Sequence, residues 1–372
     1  MRTRLFRWLD KQLSAQYQLY PVLKRGEYQT HPNISLHSYA QSETISYSHP
    51  HHSGDLLPEY SNTIGNMTYP APFILDIQQG KISGRHALVT TDDNQIIAES
   101  VFNHLPYIEA LSSGRLHYPQ TPSEFLRQLS FTAHYDSVFV LANYFGNAFY
   151  HWILESLPRL WLWQEYQHMT GQSLPVLLTH PLPEFAQQTL DILGVKDVIF
   201  WDATRAEVKQ LVMPMAVNGT GIPSRPILEQ VSEQLIANIA NLPQFDNPRI
   251  YITRKNSPKR RVINEDEVLA LLEKHGFEVF ALETLSLTEQ IALFQQAEIV
   301  IGAHGAGFAN CIHSKNIKLL EFFEPSYINI CFYRLACAFG FDYGYLVGQS
   351  QGLNISVDVA ELESMMREMK II

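Results

Sequence analysis

Residues Ile299 to Asn310 read I-V-I-G-A-H-G-A-G-F-A-N. An apolar run of strand length enters a turn carrying Gly302, Gly305 and Gly307, and leaves as a short helix. A strand without polar alternation is covered on both faces, as in the parallel sheet of an α/β protein. The glycines let a ligand approach the backbone, and the first amides of the helix, with its dipole, favour an anion such as phosphate. His304, Gly305, Ala306, Gly307 and Asn310 are therefore the candidate anion-binding residues. Taken alone, the turn reads equally well as a tight strand-to-helix connection that needs small residues.

Alternation of strand and helix spreads outward from this stretch. R-I-Y-I-T-R (249–254), a helix from Asn264, F-E-V-F-A-L (277–282), a helix from Ser286, K-L-L-E-F-F (318–323) and a last helix from Val359 form the second half. Asn264 with Glu267, Ser286 with Glu289 and Asp358 with Glu361 have the spacing of capping boxes, and Gly276 stands where a helix ends. Leu362, Met365, Met366 and Met369 share one face of the last helix, which predicts docking on a core. In the first half, F-I-L-D-I, A-L-V-T and I-I-A-E-S read as antiparallel strands. They are followed by V-F-V-L-A (138–142), a helix over about 149–168, L-P-V-L-L-T, a helix from Pro183 ended by Gly194, and two more strands. N-G-T-G-I-P-S-R-P (Asn218–Pro226) interrupts the alternation and marks a boundary. The expected division is an N-terminal helix and irregular extension over 1–69, an α/β domain over 70–217, a linker and helix over 218–247, and a Rossmann-like domain over 248–372 whose last helix can pack back on the first domain. Residues 26–70 show no sustained period, and His49, His51 and His52 read as part of a solvated loop rather than as metal ligands.

Composition bounds the function classes. A chain of 372 residues that is 46% hydrophobic can bury two ordinary cores. A formal net charge of −10 argues against a surface built to neutralise nucleic acid. Cys311, Cys331 and Cys337 form no C-x-x-C pair and leave an odd count, as in a reducing compartment. No apolar run is long enough to span a bilayer and no apolar signal core opens the chain, so the expectation is a cytoplasmic protein. Residues 1–13, M-R-T-R-L-F-R-W-L-D-K-Q-L, pair an apolar stripe with positive charge. This reads as an ordinary packed helix first and as a peripheral contact with the inner membrane second.

Chemistry-bearing residues surround the glycine-rich turn. Arg254 sits at the carboxyl end of its strand, and Lys255, Lys259, Arg260 and Arg261 follow in an otherwise acidic chain. A guanidinium takes two phosphate oxygens at once, which points to Arg254 and Arg260 as phosphate ligands. Glu321 comes near the end of the next strand, where a carboxylate accepts hydrogen bonds from ribose hydroxyls or simply faces solvent.

Y-I-T-R, the basic loop ending R-R-V-I-N-E, the helix L-x-x-x-E-Q-I-x-L-F-x-x-A, I-G-A-H-G-A-G-F-A-N and L-L-E together resemble glycosyltransferase family 61, as does Y-H-W-I-L-E-S-L-P-R-L (Tyr150–Leu160). The resemblance covers roughly 70–365 and implies an α/β GT-B-like fold. Two Rossmann-like domains would face each other across a cleft, with a β-rich N-terminal extension, the donor bound in the second domain and the acceptor in the first. It implies inverting transfer of a hexosyl or pentosyl group from a nucleotide-diphosphate sugar, with UDP first among nucleotides. The acceptor would be a glycan or lipid-linked glycan, and nucleic acid would not be a partner. No D-x-D motif occurs, so no cofactor or metal is expected and His304, Arg254 and the helix start would stabilise the leaving diphosphate. Inversion needs a base for the acceptor hydroxyl, and His151 and Glu155, four apart on one helix face with Arg159 beyond, are the candidates. Two rival readings remain: a catalytically inactive nucleotide- or glycan-binding module, and a nicotinamide-dependent oxidoreductase. The oxidoreductase fits poorly because G-x-x-G-x-G reverses the dinucleotide order.

Overall fold

The computed structural model of the chain describes residues 22–39, 41–84, 87–101, 133–143, 146–201, 205–215 and 224–372. The amphipathic stretch at 1–13 and most of the boundary segment Asn218–Pro226 lie outside the described residues.

The structure is mixed α/β, built on two large sheets. The first is nine-stranded, in the order Val22–Leu23, Ile96–Ile97, Leu88–Thr90, Phe73–Ser83, Arg205–Met215, Ala133–Val140, Val176–Thr179, Val198–Trp201, with Ile34–Ser38 also pairing on Phe73–Ser83. Its last four strands are parallel, while Phe73–Ser83 runs antiparallel to Arg205–Met215. The second sheet is six-stranded, in the order Glu278–Phe280, Arg249–Ile252, Ile299–Ala303, Lys318–Phe323, Asp342–Val347, His51–His52, and parallel throughout. Setting aside the His51–His52 edge, the strands stand in the order 2-1-3-4-5 of their chain sequence. The order reverses between Arg249–Ile252 and Ile299–Ala303, and such a switch point opens a crevice at the carboxyl ends of the strands.

Side chains alternate across the second sheet with period two. Ile250, Ile252, Val300, Leu319, Phe323, Tyr343 and Tyr345 face one core, while Tyr251, Ile301, Ala303, Leu320, Phe322 and Leu346 face another. The second core is closed by the helices Glu265–Lys274 and Val359–Glu368. The last helix packs on its own sheet through Leu362, Met365, Met366 and Met369, and also meets His51 of the first half through Glu368. The first core continues through Trp152, Leu157, Leu160, Val176, Leu178, Leu190 and Leu228, so helices of the first half and the face of the second sheet share one apolar interior.

Local signals explain most element ends. Ser286 forms a complete capping box with Glu289, and the Asp358 side chain accepts from the amides of Ala360 and Glu361. Asn264 departs from this pattern. Its side chain makes no cap bond and instead brackets Val357, accepting from Val357 N at 3.0 Å and donating to Val357 O at 2.8 Å. Gly276 takes the left-handed conformation (φ 76°) just past its helix, as a terminating glycine does.

The stretch 26–70, expected to be largely irregular, holds ordered strands at Ile34–Ser38, Glu43–Tyr47, His51–His52 and Gly65–Tyr69. The solvated-loop reading of the histidines gives way to an edge strand at His51–His52, paired with Gly344 and Tyr345. His51 is held between Asp342 (2.9 Å) and Glu368 (3.0 Å). Among the described residues no helix is long and apolar enough to cross a membrane.

Candidate functional site

A cavity of about 660 Å³ opens at the switch point. Ile252, Thr253 and Arg254 line it from one strand end, Ala306 and Gly307 from the glycine-rich turn, and Leu282 to Leu287 with Gln290 from the connection into the helix Leu287–Gln296. Phe149, Glu184, Phe185 and Gln188 close it from the first half. The turn Phe149–His151 also packs against the 3-10 helix Ala306–His313, so the two sequence motifs meet at one place.

Arg254 lines the cavity with positive charge, and Arg260, which is not among the lining residues, stands close enough to act on it. The Arg254 guanidinium donates from Nη2 to Ser257 Oγ at 2.7 Å. Burial, with the nearby charge of Arg260 adding to it, lowers the Arg254 pKa to about 10, so it stays charged near neutrality. Arg260 lies 5.1 Å over the Tyr327 ring, and its φ of 58° is unusual for a residue with a side chain. Its amide donates to Leu353 O at 2.6 Å, an anchor that holds the strained backbone. Both guanidiniums leave a buried Nε–H without a partner among the described residues. Two like charges side by side, each with an unused buried donor, are costly unless an anion completes them.

The glycines have distinct steric reasons. Gly305 is extended (φ −173°), so its backbone would accept other residues, but a methyl group there would overlap Arg254 Nη1. A methyl on Gly307 would stand 2.5 Å from Leu282 Cδ1. The short helix that follows is of 3-10 type, which presents fewer aligned amides than an α-helical start would.

His304 is 4% exposed and its Nδ1 contacts Glu321 Oε1 at 2.5 Å. Its ring stacks on Phe323 at 5.2 Å and lies 5.7 Å from Tyr327. Glu321 is neither ribose-facing nor on the surface. It is fully buried, and its second oxygen accepts from the Tyr343 hydroxyl at 2.6 Å. Asn310 is likewise buried, donating to Gln290 Oε1 and Gly307 O at 3.0 Å each, so it braces the turn, while Gln290 lines the cavity.

His151 and Glu155 form a second histidine–carboxylate pair, with Nδ1 2.9 Å from Oε2. Glu155 is 2% exposed at the side chain and lies in a π-helical turn, Trp152–Ser156. Pro158, two residues further on, has no amide to give Leu154, and its ring would clash with that carbonyl in an α-helix, which accounts for the widened turn. Burial lowers the Arg159 pKa to about 10, partly offset by Glu155. Sequence reading missed the cavity wall at Glu283–Gln290 and the tyrosines behind Glu321. Among the described residues one group, His31, Asp92 and Asp93, has ligand atoms close enough together to hold a cation, and none of the three lines this cavity.

A family model described as Glycosyltransferase 61 matches residues 149–317, the segment that carries both motifs. Just under half of the chain is thus similar to glycosyltransferase family 61. The EGF domain-specific O-linked N-acetylglucosamine transferase of Drosophila melanogaster is 37% identical over 71 residues, 18% of this chain and 14% of that protein. That match spans a small part of the relative's length, while the segment similar to family 61 takes in the arginine loop, the glycine-rich turn and the His151 helix together.

Proposed function

We propose that this chain works in a GT-B arrangement as an inverting, metal-independent glycosyltransferase, moving a sugar from a UDP-sugar to a hydroxyl of a glycan or lipid-linked glycan. The supporting observation is Arg254, packed against Gly305 at the switch point with an unpartnered Nε–H, and Arg260 close enough to act on its charge with another. A diphosphate supplies the charge and the acceptor atoms that this pair lacks.

In this reading the donor's diphosphate lies against Arg254, Arg260 and His304, and its nucleoside enters the cavity towards Leu282–Gln290. Glu155 holds the Nδ1 proton of His151, which makes Nε2 the basic atom of that ring. Nε2 takes the acceptor hydroxyl's proton as its oxygen bonds to the anomeric carbon from the face opposite the diphosphate. The bond from that carbon to the phosphate oxygen breaks, and its electron pair leaves with the nucleoside diphosphate, met by charges already in place. The N-acetylglucosamine in the relative's name makes UDP-N-acetylglucosamine the first donor to try. Cytoplasmic placement with a peripheral membrane contact through residues 1–13 belongs to the same reading, and cell fractionation tests it.

The deciding experiment is a melting-temperature screen against UDP-, GDP-, CMP- and dTDP-sugars, followed by transfer assays. A ligand that binds the folded state raises the melting temperature. Stabilisation by UDP-sugars that is lost in Arg254→Ala is the expected result. No stabilisation by any nucleotide sugar would end the proposal, and binding without transfer would leave a binding module.

A further inference from the structure

Two side chains bond to one buried carboxylate, and a third, from a distant part of the chain, backs one of them. Glu321 and Tyr343 lie on the same face of neighbouring strands, because alternation puts residues 319, 321 and 323 on the side of 343 and 345, and His304 directly follows the strand Ile299–Ala303. Both oxygens of Glu321 are engaged, Oε1 by His304 Nδ1 at 2.5 Å and Oε2 by Tyr343 at 2.6 Å. Behind Tyr343, at 3.1 Å, is the hydroxyl of Tyr60. Tyr60 sits on the short helix Pro58–Ser61, is fully buried, and stacks on Tyr345 with ring centroids 4.2 Å apart.

With Glu321 ionised, the proton count fixes the direction of this chain. A phenol has one proton, and an ionised carboxylate has none. Tyr343 gives its proton to Glu321, so Tyr60 must donate to the Tyr343 oxygen, and Glu321 is left to accept from His304 Nδ1–H. Burial and the neighbouring Glu321 charge push the Tyr343 phenol well above its ordinary pKa, which keeps that proton in place. A buried carboxylate is costly, and packing alone would favour an apolar residue at 321. The chain of donors ends on His304, whose Nε2 carries no hydrogen bond among the described residues.

We propose that Tyr343 and Tyr60 are positioning residues of the active centre. They hold Glu321 as an ionised acceptor, which fixes the His304 ring with a proton on Nδ1 and makes Nε2 the atom that meets the ligand. Tyr60, Glu321 and Tyr343 all lie outside the family match at 149–317, so the N-terminal segment completes the site. The inference rests on the glycosyltransferase reading only for what Nε2 touches.

The test uses the full chain labelled with ¹⁵N-histidine, with the His304 signals identified by their loss in His304→Gln. Spectra of the wild type, Tyr60→Phe, Tyr343→Phe and the control Tyr345→Phe are compared at one pH, together with melting temperatures and UDP titrations. In the wild type, Nδ1 is protonated. In Tyr343→Phe, Oε2 loses its donor, the Nδ1 proton passes to Oε1, and the ring takes a proton from solvent at Nε2, whose signal moves to the protonated range. Tyr60→Phe shifts it the same way by less, and Tyr345→Phe leaves it unmoved. A protonated Nε2 donates to a phosphate oxygen where a bare one cannot, so UDP binds Tyr343→Phe at least as tightly as the wild type. Should Tyr343→Phe fail to fold, Tyr60→Phe decides alone, since it keeps the stacked ring and loses one hydroxyl. Unmoved His304 signals in a folded Tyr60→Phe and Tyr343→Phe overturn the proposal. Moved signals in a protein that binds no UDP support it and reject the nucleotide-sugar reading instead.

Discussion

Replacing Gly305 with alanine is the most discriminating perturbation the site offers. Its φ of −173° is open to any residue, so the backbone is not strained by the change. The added methyl would overlap Arg254 Nη1 and stand 3.1 Å from Cζ, while its next neighbour, Ala303 O, is 3.6 Å away. The strain thus falls on the end of one flexible side chain, and stability should change by less than about 1 kcal/mol. The guanidinium, however, must swing aside by roughly 1 Å, enough to break its alignment with a phosphate, and misplacements of that size are costly to function. One charge-assisted hydrogen bond is worth about 1.5–3 kcal/mol, which predicts a UDP dissociation constant about 10- to 100-fold higher.

Isothermal titration at fixed salt measures this, and a double-mutant cycle identifies the cause. If the methyl acts by displacing Arg254, Gly305→Ala should cost almost nothing once Arg254 is already alanine. The same loss in both backgrounds would refute the reasoning, because the turn itself, and not the arginine, would then hold the diphosphate.

Gly302→Ala should behave oppositely. Its methyl would meet the backbone oxygen of Ile252 at 2.8 Å and Phe308 at 3.3 Å, groups that cannot swing away, so a loss of about 1–3 kcal/mol should appear as a lower melting temperature. His151→Ala should abolish transfer and leave UDP affinity within about twofold by titration, since the base meets the acceptor and not the diphosphate. Transfer should persist in EDTA, and activity that disappears and returns with manganese would reject metal independence. His313 offers a pH signature. Burial lowers its folded pKa to about 3, below the unfolded value near 6.5, so the unfolded state binds more protons in that window. Stability should fall by up to about 1.4 kcal/mol per unit as pH drops below about 6.5. Glu99, raised to about 7 chiefly by burial, has the opposite slope, so denaturation curves of His313→Gln minus wild type are the measure.

The second half was legible because its strands are buried on both faces and announce themselves as apolar runs, and because Ser286 and Gly276 mark helix ends by local chemistry. Glu321 carried a signal that sequence reading undervalued. A carboxylate inside K-L-L-E-F-F of a doubly covered strand has no route to solvent, so a buried partner was already implied. Pro158 inside a helical pattern similarly flagged an irregular turn at Glu155. Other features have no local signature. His51–His52 joins Gly344 and Tyr345 across nearly the whole chain with no polar alternation to mark a strand. Tyr60 and Tyr343 differ in no way, as sequence, from the other tyrosines of the chain. Asn264 looked like a cap, but tertiary structure gave its amide a better use on Val357.

The shared core bears on how such a site could close over a ligand. Domains joined by small, polar interfaces move against each other by default, whereas a large apolar interface resists it. Here Trp152, Leu157 and Leu160 of the first half belong to the same apolar cluster as Val300, Leu319 and Phe323 of the second sheet. Separating the halves would expose that surface to water at roughly 25 cal/mol per Å², a cost that ligand binding would have to offset in full. The basic segment at 255–261 is different, largely exposed and tethered by a few hydrogen bonds, among them Arg260 N to Leu353 O, Ile355 N to Arg261 O, Arg261 N to Asn354 Oδ1 and Asn256 Nδ2 to Glu283 Oε1. Adjustment to a diphosphate therefore falls to this loop and its guanidiniums, with the sheets as a fixed frame, and Arg260 with its strained backbone is the residue whose conformation binding should change most.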